Sequence, residues 1–262
     1  MLKYVRWLNM IAFVIMLVMN ALANALPLNG KTTGEIAAAL PVLFTPAAYA
    51  FSIWGLIYLL LLGFVVYQNL PAQRYARFIE QIGLWFVISC AANSLWLVAW
   101  HHERFLLTML CMLVLLIALL VISHRLRIGD PARQVHWHEY WCVHLPFSVY
   151  LGWITVATLA NFAVVLHTLH LDNLGLSPVG FTTLLIFSAT GVALFMIPRR
   201  TDIGLPLVIA WALAAIAVRH WPALPMLAGS AGFLACDLLV FVYIFRRKRQ
   251  AARAVETERH NS

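Results

Sequence analysis

The sequence predicts an all-α fold, a polytopic bundle of transmembrane helices. Three observations carry this. The chain is 63% hydrophobic and only 11% charged over 262 residues, whereas a soluble domain is about half apolar and about a quarter charged. Its mean hydropathy is +0.85. The apolar residues fall in runs close to the ~20 residues a helix needs to cross a bilayer, and the charges sit in short caps between those runs. The formal charge of +8 therefore does not point to nucleic acid, because the basic residues form no domain or stripe of their own.

By length, eight spans are expected, at roughly 7–27, 46–69, 82–100, 105–123, 141–166, 180–197, 204–219 and 223–245. The seventh is the shortest and opens near Pro206. Loop charges test the count. With the N-terminus inside, the inside segments hold Lys3, Arg6, Arg74, Arg77, Arg125, Arg127, Arg133, Arg199, Arg200, Arg246, Arg247, Lys248, Arg249, Arg253 and Arg259. The outside segments hold Lys31, Arg104 and Arg219. Fifteen against three is the bias of cytoplasmic loops. Both termini are expected in the cytoplasm, with the chain in a bacterial inner (plasma) membrane.

The first run carries Lys3 and Arg6 ahead of it and the small-residue stretch ALANAL at its end, features shared with cleaved signal peptides. Its length, and Asn9, Asn20 and Asn24 as interior packing residues, favour a retained helix. The loop that follows, Pro27 to Thr45, contains NGKTTGE and is long for a connection between adjacent spans. Two readings stand on length alone, a flap over the outer mouth of the bundle and a solvated linker.

The second span, FTPAAYAFSIWGLIYLLLLG from Phe44 to Gly63, starts at a proline. It sets Phe51, Trp54 and Tyr58 at i, i+3 and i+7 on one helical face, with Tyr49 and Ile53 beside it. A span that only had to sit in lipid has no need of such a stripe. In the third span Asn93, Trp96 and Trp100 repeat the i, i+3, i+7 pattern, and Ser89 lies one turn earlier. An asparagine in a span needs a partner inside the bundle, so Asn93 points inward, either as interhelical glue or as a ligand anchor. Only HHERF joins the third span to the fourth, which predicts a tight antiparallel hairpin.

The fifth span, WCVHLPFSVYLGWITVATLANFAVVL, sets Pro146, Tyr150, Trp153, Ala157 and Asn161 along one stripe. Pro146 frees a backbone carbonyl and is expected to kink the helix. The stripe fits a pocket wall or a packed core. The last three spans carry Gly, Ala, Ser and Thr suited to close packing. Asp237 is a carboxylate well inside the eighth span, a candidate functional group. It lies about two turns from the basic end Arg246–Arg249 and is expected to snorkel or pair there. After Tyr243 the chain turns basic and then polar, a tail expected to fray in the cytoplasm and to meet anionic lipid.

The four cysteines, Cys90, Cys111, Cys142 and Cys236, fall within apolar runs and read as small core residues. The histidine clusters (His101, His102 with Glu103; His167, His170; His136, His138, His144) sit at span ends without metal-ligand spacing, so no metal site is expected. No nucleophile–base–acid set, glycine-rich phosphate loop or carboxylate pair is evident, and no enzymatic activity is expected.

The aromatic second span with Phe44-Thr45-Pro46, Phe51, Trp54 and Tyr58, the Asn93-x-x-Trp96 third span and the Pro146, Tyr150, Trp153, Asn161 fifth span occur in a fixed order. Together they resemble the translocator protein / tryptophan-rich sensory protein family (TspO/MBR, peripheral benzodiazepine receptor-like) over roughly residues 5–167. The resemblance implies a five-helix unit, residues 1–170, with a pocket near the first loop. Residues 171–246 would add about three further transmembrane helices, and 247–262 a cytoplasmic tail. It implies a flat hydrophobic ligand, porphyrin or haem or a sterol-like molecule, with no cofactor required, and a sensing or ligand-transport role in the bilayer, sometimes as a homodimer. The residues it marks for ligand binding are Tyr49, Trp54, Tyr58, Asn93, Trp96, Tyr150, Trp153 and Asn161. If haem is the ligand, His101 or His167 is placed to reach its iron. Pro46-Ala47-Ala48-Tyr49 departs from the doubled proline and tryptophan common in the family. A secondary transporter of a small hydrophobic or amphipathic solute is the alternative, resting on Asp237. A membrane enzyme acting on a lipid or isoprenoid is a third reading, for which no catalytic residues are evident.

Overall fold

The computed structural model describes residues 2–26 and 28–261, and their side chains outside positions 2, 3, 24, 28, 172 and 250–261. The expectation for Asn24 lies outside the described side chains. Eight long helices make the bundle: α1 (Leu2–Ala25), α2 (Ile53–Asn69), α3 (Trp85–His101), α4 (Phe105–Leu126), α5 (Leu145–Thr168), α6 (Pro178–Arg199), α7 (Gly204–His220) and α8 (Pro225–Asn261). No strand occurs among the described residues. Among the described residues six segments are long and apolar enough to cross a membrane: Tyr4–Ala23, Ala48–Asn69, Phe105–Leu126, Trp137–Thr168, Pro178–Arg199 and Pro225–Arg249. The helices α3 and α7 have 17 residues each and reach about 25 Å at 1.5 Å per residue, the short end of the spanning range.

Three boundaries differ from the sequence expectation, each for a local reason. The second span does not open as α-helix at Pro46. Ala48–Ser52 winds as 3-10 helix, and α-helix begins at Ile53. The third span is cut from the helical turn Arg77–Ile82 by Gly83, whose φ of +53° suits glycine. Before Pro146 the chain makes a π turn, Tyr140–His144, in which the Leu145 N–H donates to the Tyr140 carbonyl five residues back. A proline ring clashes with the carbonyl four residues before it, and the wider turn makes room for that ring. At the other end of the chain, α8 runs on as helix to Asn261. Residues 246–261 hold Arg, Ala, Gln and Glu, all good helix formers, and neither Gly nor Pro.

Buried apolar side chains form one cluster that runs from Phe13 of α1 to Val242 of α8. Lipid tails are as apolar as leucine, so close packing and hydrogen bonds decide which helices meet. The helix α1 docks by Asn9 Nδ2 donating to Gln68 Oε1 of α2 at 3.2 Å and by Asn20 Nδ2 donating to Asn93 Oδ1 of α3 at 2.8 Å. Its outward face shows Leu8, Ile11, Ile15, Val18 and Leu22, exposed as a lipid-facing stripe would be. The hairpin of α3 and α4 turns through His102, Glu103 and Arg104, as its length predicts, with Glu103 in the left-handed region at φ +53°.

The helix α7 is built into the unit formed by α1 to α5. A Cβ on Gly152 of α5 would lie 2.9 Å from Leu205 Cα and 3.0 Å from its carbonyl oxygen, so the two backbones touch there. Beside that point the Ser148 hydroxyl donates to Asp202 Oδ2 at 2.5 Å and accepts the Leu205 N–H at 2.8 Å. Asp202 Oδ1 in turn accepts the Gly204 N–H at 3.1 Å, which caps the start of α7.

Candidate functional site

The first loop folds over the bundle. Thr32 and Glu35 form a reciprocal capping box that starts the short helix Thr33–Ala39. Glu35 accepts the Thr32 N–H at 2.7 Å and the Thr32 hydroxyl at 2.9 Å. These bonds, the backbone one foremost, hold the Glu35 carboxyl below the usual glutamate range. The loop is fastened at three points to α3 and the turn that follows it. Trp100 Nε1 donates to the Thr33 carbonyl at 3.2 Å, Asn29 Nδ2 donates to the His101 carbonyl at 3.2 Å, and Lys31 pairs with Glu103 at 2.6 Å. Ile36 and Ala37 point inward and are buried. Of the two readings left open by length, the flap is the one the fold adopts.

Beneath it lies a cavity of about 60 Å³. Its roof is Thr33, Ala37 and Leu40, and one rim is Thr45 and Pro46. Its walls are Phe51 and Trp54, Trp96 and Trp100, Met112 of α4, and the α5 stripe Trp153, Val156, Ala157, Ala160, Asn161 and Val164. No lining residue is charged. Trp96 and Trp100 stack at 5.4 Å, and Phe51 and Trp54 meet Trp153 edge-on at 5.9 and 6.2 Å. Polar groups are few. Trp96 Nε1 donates to Asn161 Oδ1 across 3.4 Å, a long hydrogen bond. The Trp153 indole N–H is buried without an acceptor among the described residues, a state that costs free energy unless something accepts from it.

Four of the sequence-marked residues, Trp54, Trp96, Trp153 and Asn161, line this cavity. Three more form a polar layer next to it. Asn93 Nδ2 donates to the Tyr150 hydroxyl at 3.1 Å while its Oδ1 accepts from Asn20, and Tyr58 stacks on Trp54 at 5.5 Å. The Tyr58 hydroxyl is enclosed near Asn93 without a well-formed hydrogen bond. Tyr49 stands apart. It is 43% exposed and packs edge-on against Trp211 of α7 at 5.3 Å, away from the cavity. The 3-10 turn carries three residues per turn, so it takes Tyr49 off the α-helical register that the sequence pattern assumed.

What sequence reasoning missed is the second layer around the rim. Trp211 Nε1 donates to the Ala50 carbonyl at 3.3 Å, Arg219 to Thr45 at 3.3 Å and His220 Nε2 to Leu43 at 2.7 Å, while the Ala47 N–H donates to Ala215 at 3.1 Å. The helix α7 thus holds the segment that carries Thr45, Pro46 and Phe51 into the cavity wall.

Residues 6–244 match the family model described as TSPO-like protein. The chain belongs to the TSPO-like protein family. The match begins in α1 and ends within α8, so it takes in α6 and α7 as well as the aromatic unit. No curated protein and no solved structure matches the chain. Membership, with the six apolar segments of spanning length, makes this TSPO-like protein a multi-pass integral membrane protein whose surroundings are a lipid bilayer.

Other groups singled out in the sequence lie elsewhere in this TSPO-like protein. His101 is buried, its Nδ1 2.8 Å from the Leu97 carbonyl and its Nε2 without a partner, and it does not line the cavity. His167 is exposed. Among the described residues no three His, Cys, Asp or Glu side chains converge as a metal site. Asp237 is partly exposed on α8 and does not line the cavity. No ion pair joins it to Arg246–Arg249 among the described residues.

Proposed function

We propose that the protein binds a flat hydrophobic ligand, a porphyrin such as haem or a sterol-like molecule, between the tryptophans of α2, α3 and α5, and acts as a sensor or in ligand transport. One observation carries this reading. Four tryptophans, 54, 96, 100 and 153, converge on one uncharged cavity under a separately folded flap. Aromatic faces and apolar burial supply affinity, and the few polar groups set orientation. The unpaired Trp153 N–H and Asn161 offer a donor and an amide to a ligand's polar edge.

Drug-sized pockets run to about 300–1,000 Å³, and this cavity holds about 60 Å³. Entry therefore requires the flap helix Thr33–Ala39 to lift. The fastenings along its edge are a few hydrogen bonds and one half-exposed ion pair, each worth about 1 kcal/mol, and lifting also exposes the buried Ile36 and Ala37. The excess of Lys and Arg in alternate loops supports a flap on the outer face of the membrane and both termini in the cytoplasm. The protein acts without chemistry on its ligand, and a homodimer is part of the same reading.

Titration of the purified protein with protoporphyrin, followed in the Soret band, tests the proposal. A saturable shift that weakens in Trp96→Ala and Trp153→Ala supports it. No shift, or one indifferent to both substitutions, refutes it.

A further inference from the structure

A second, larger crevice opens at the opposite end of the bundle from the flap, about 390 Å³ in volume. One wall is aromatic: Trp137, Tyr140 and Trp141, leading into the π turn before α5. The other is α8, with Val242, Phe245, Arg246 and Arg249. Its floor is Arg200 to Ile203, between α6 and α7. Three guanidiniums therefore converge on one space. Arg200 is positioned by donating to the Ile128 carbonyl at 3.0 Å, and Arg249 by donating to the Pro198 carbonyl at 2.7 Å. A guanidinium has five N–H donors, so the bond from Arg200 to Ile128 leaves that side chain capacity for a ligand.

Among the described residues the single carboxylate lining the crevice is Asp202. It is occupied with Ser148 and the Gly204 N–H, and no ion pair among the described residues joins it to Arg200 or Arg246. Burial pushes the Asp202 carboxyl up, and its hydrogen bonds to Ser148 and Gly204 act against that. The walls are as telling as the charge. Trp137 and Trp141 are 68% and 44% exposed, the placement of aromatics at a membrane–water boundary. Leu145, Ile197, Val242 and Phe245 continue the crevice as an apolar surface.

From this pairing we infer that the crevice between α5, α6 and α8 seats the phosphate headgroup of an anionic phospholipid, with Arg200, Arg246 and Arg249 on the phosphate and the apolar wall along the first part of an acyl chain. Guanidinium forks match phosphate oxygens in pairs, and basic pockets between helices at this depth suit anionic headgroups. A soluble phosphate would gain nothing from Leu145, Val242 and Phe245.

The test uses the full-length detergent-solubilised protein, native mass spectrometry for retained lipid and thermal unfolding for stabilisation. The probes are phosphatidylglycerol, phosphatidylcholine and inorganic phosphate. Arg246 makes no hydrogen bond or ion pair among the described residues, so Arg246→Gln leaves the fold in place. The wild type is expected to retain phosphatidylglycerol at least fivefold better than phosphatidylcholine. Arg246→Gln should reduce that preference severalfold, and Arg200→Gln further. Arg74→Gln, which does not line the crevice, should leave it unchanged. Equal retention of the two lipids by the wild type, or a preference unchanged in Arg246→Gln, overturns the inference. So does inorganic phosphate alone reproducing the stabilisation, since that assigns the crevice to a soluble anion.

Discussion

His220 Nε2 lies 2.7 Å from the carbonyl of Leu43, a hydrogen bond between residues 177 positions apart. The carbonyl can only accept, so the imidazole nitrogen carries the proton. This bond and its neighbours from Arg219 and Trp211 fix the stretch that delivers Thr45, Pro46 and Phe51 to the cavity. The helix α7 thereby acts on the site without lining it.

His220→Ala should loosen that rim. The expected cost is about 1 kcal/mol of stability, the net worth of one hydrogen bond, with porphyrin affinity several-fold weaker. His220→Gln, which keeps a donor, should recover part of both. Thermal unfolding and Soret titration of the two variants check it.

The flap should respond to acid through Glu35. Its carboxyl titrates below the ordinary value of 4.5 because Thr32 donates to the charged form. A depressed carboxylate contributes stability above its unfolded value and loses it as the pH falls through the folded one. Amide exchange across residues 33–39, corrected for intrinsic rates, should therefore show protection that is constant near neutrality and falls below about pH 4.5. In Glu35→Gln, which keeps an acceptor without the titration, that acid step should shrink, leaving only what the Lys31–Glu103 pair contributes.

Asn93 and Trp96 are three residues apart on α3 and should separate into two kinds of defect. Asn93→Ala removes the donor to the Tyr150 hydroxyl and one acceptor of the Asn20 amide, which keeps its bond to the Met16 carbonyl, at about 1–3 kcal/mol of stability. It should leave ligand affinity within a few-fold of wild type. Trp96→Ala should do the reverse, with affinity lost by about tenfold, or 1.4 kcal/mol. Unfolding and ligand titration on both variants read the split.

Gly152→Leu should drive α5 and α7 apart, because a Cβ there already meets Leu205 backbone at 2.9 Å. Overpacking of this kind costs about 1–3 kcal/mol. The rim bonds from Trp211 to His220 should weaken with it, visible as lowered thermal stability and weaker porphyrin binding together.

How much of this was legible in the sequence follows from the range of the interactions. Periodicity at i, i+3, i+7 put Phe51 and Trp54, Trp96 and Trp100, and the α5 stripe on inward faces, and a helix carries such local information along its own axis. Asn93 pointed inward because an asparagine in a span needs a partner, and its partners are Asn20 and Tyr150. Two things escaped. Tyr49 left the helical register because the second span opens as a 3-10 turn. The rim bonds from α7 run to backbone carbonyls at Leu43, Thr45 and Ala50, and a carbonyl has no side-chain signature to pair with a distant Trp, Arg or His.

Trp153 and Tyr49 lie on opposite sides of the boundary between cavity wall and outer packing. Soret titration should be run on Trp153→Ala, which lines the cavity, and on Tyr49→Ala, which packs outside it on Trp211. The account predicts an affinity loss of about tenfold or more for Trp153→Ala, 1.4 kcal/mol or above, and a change of less than about twofold for Tyr49→Ala. An affinity that falls with Tyr49 and survives the loss of Trp153 would contradict it.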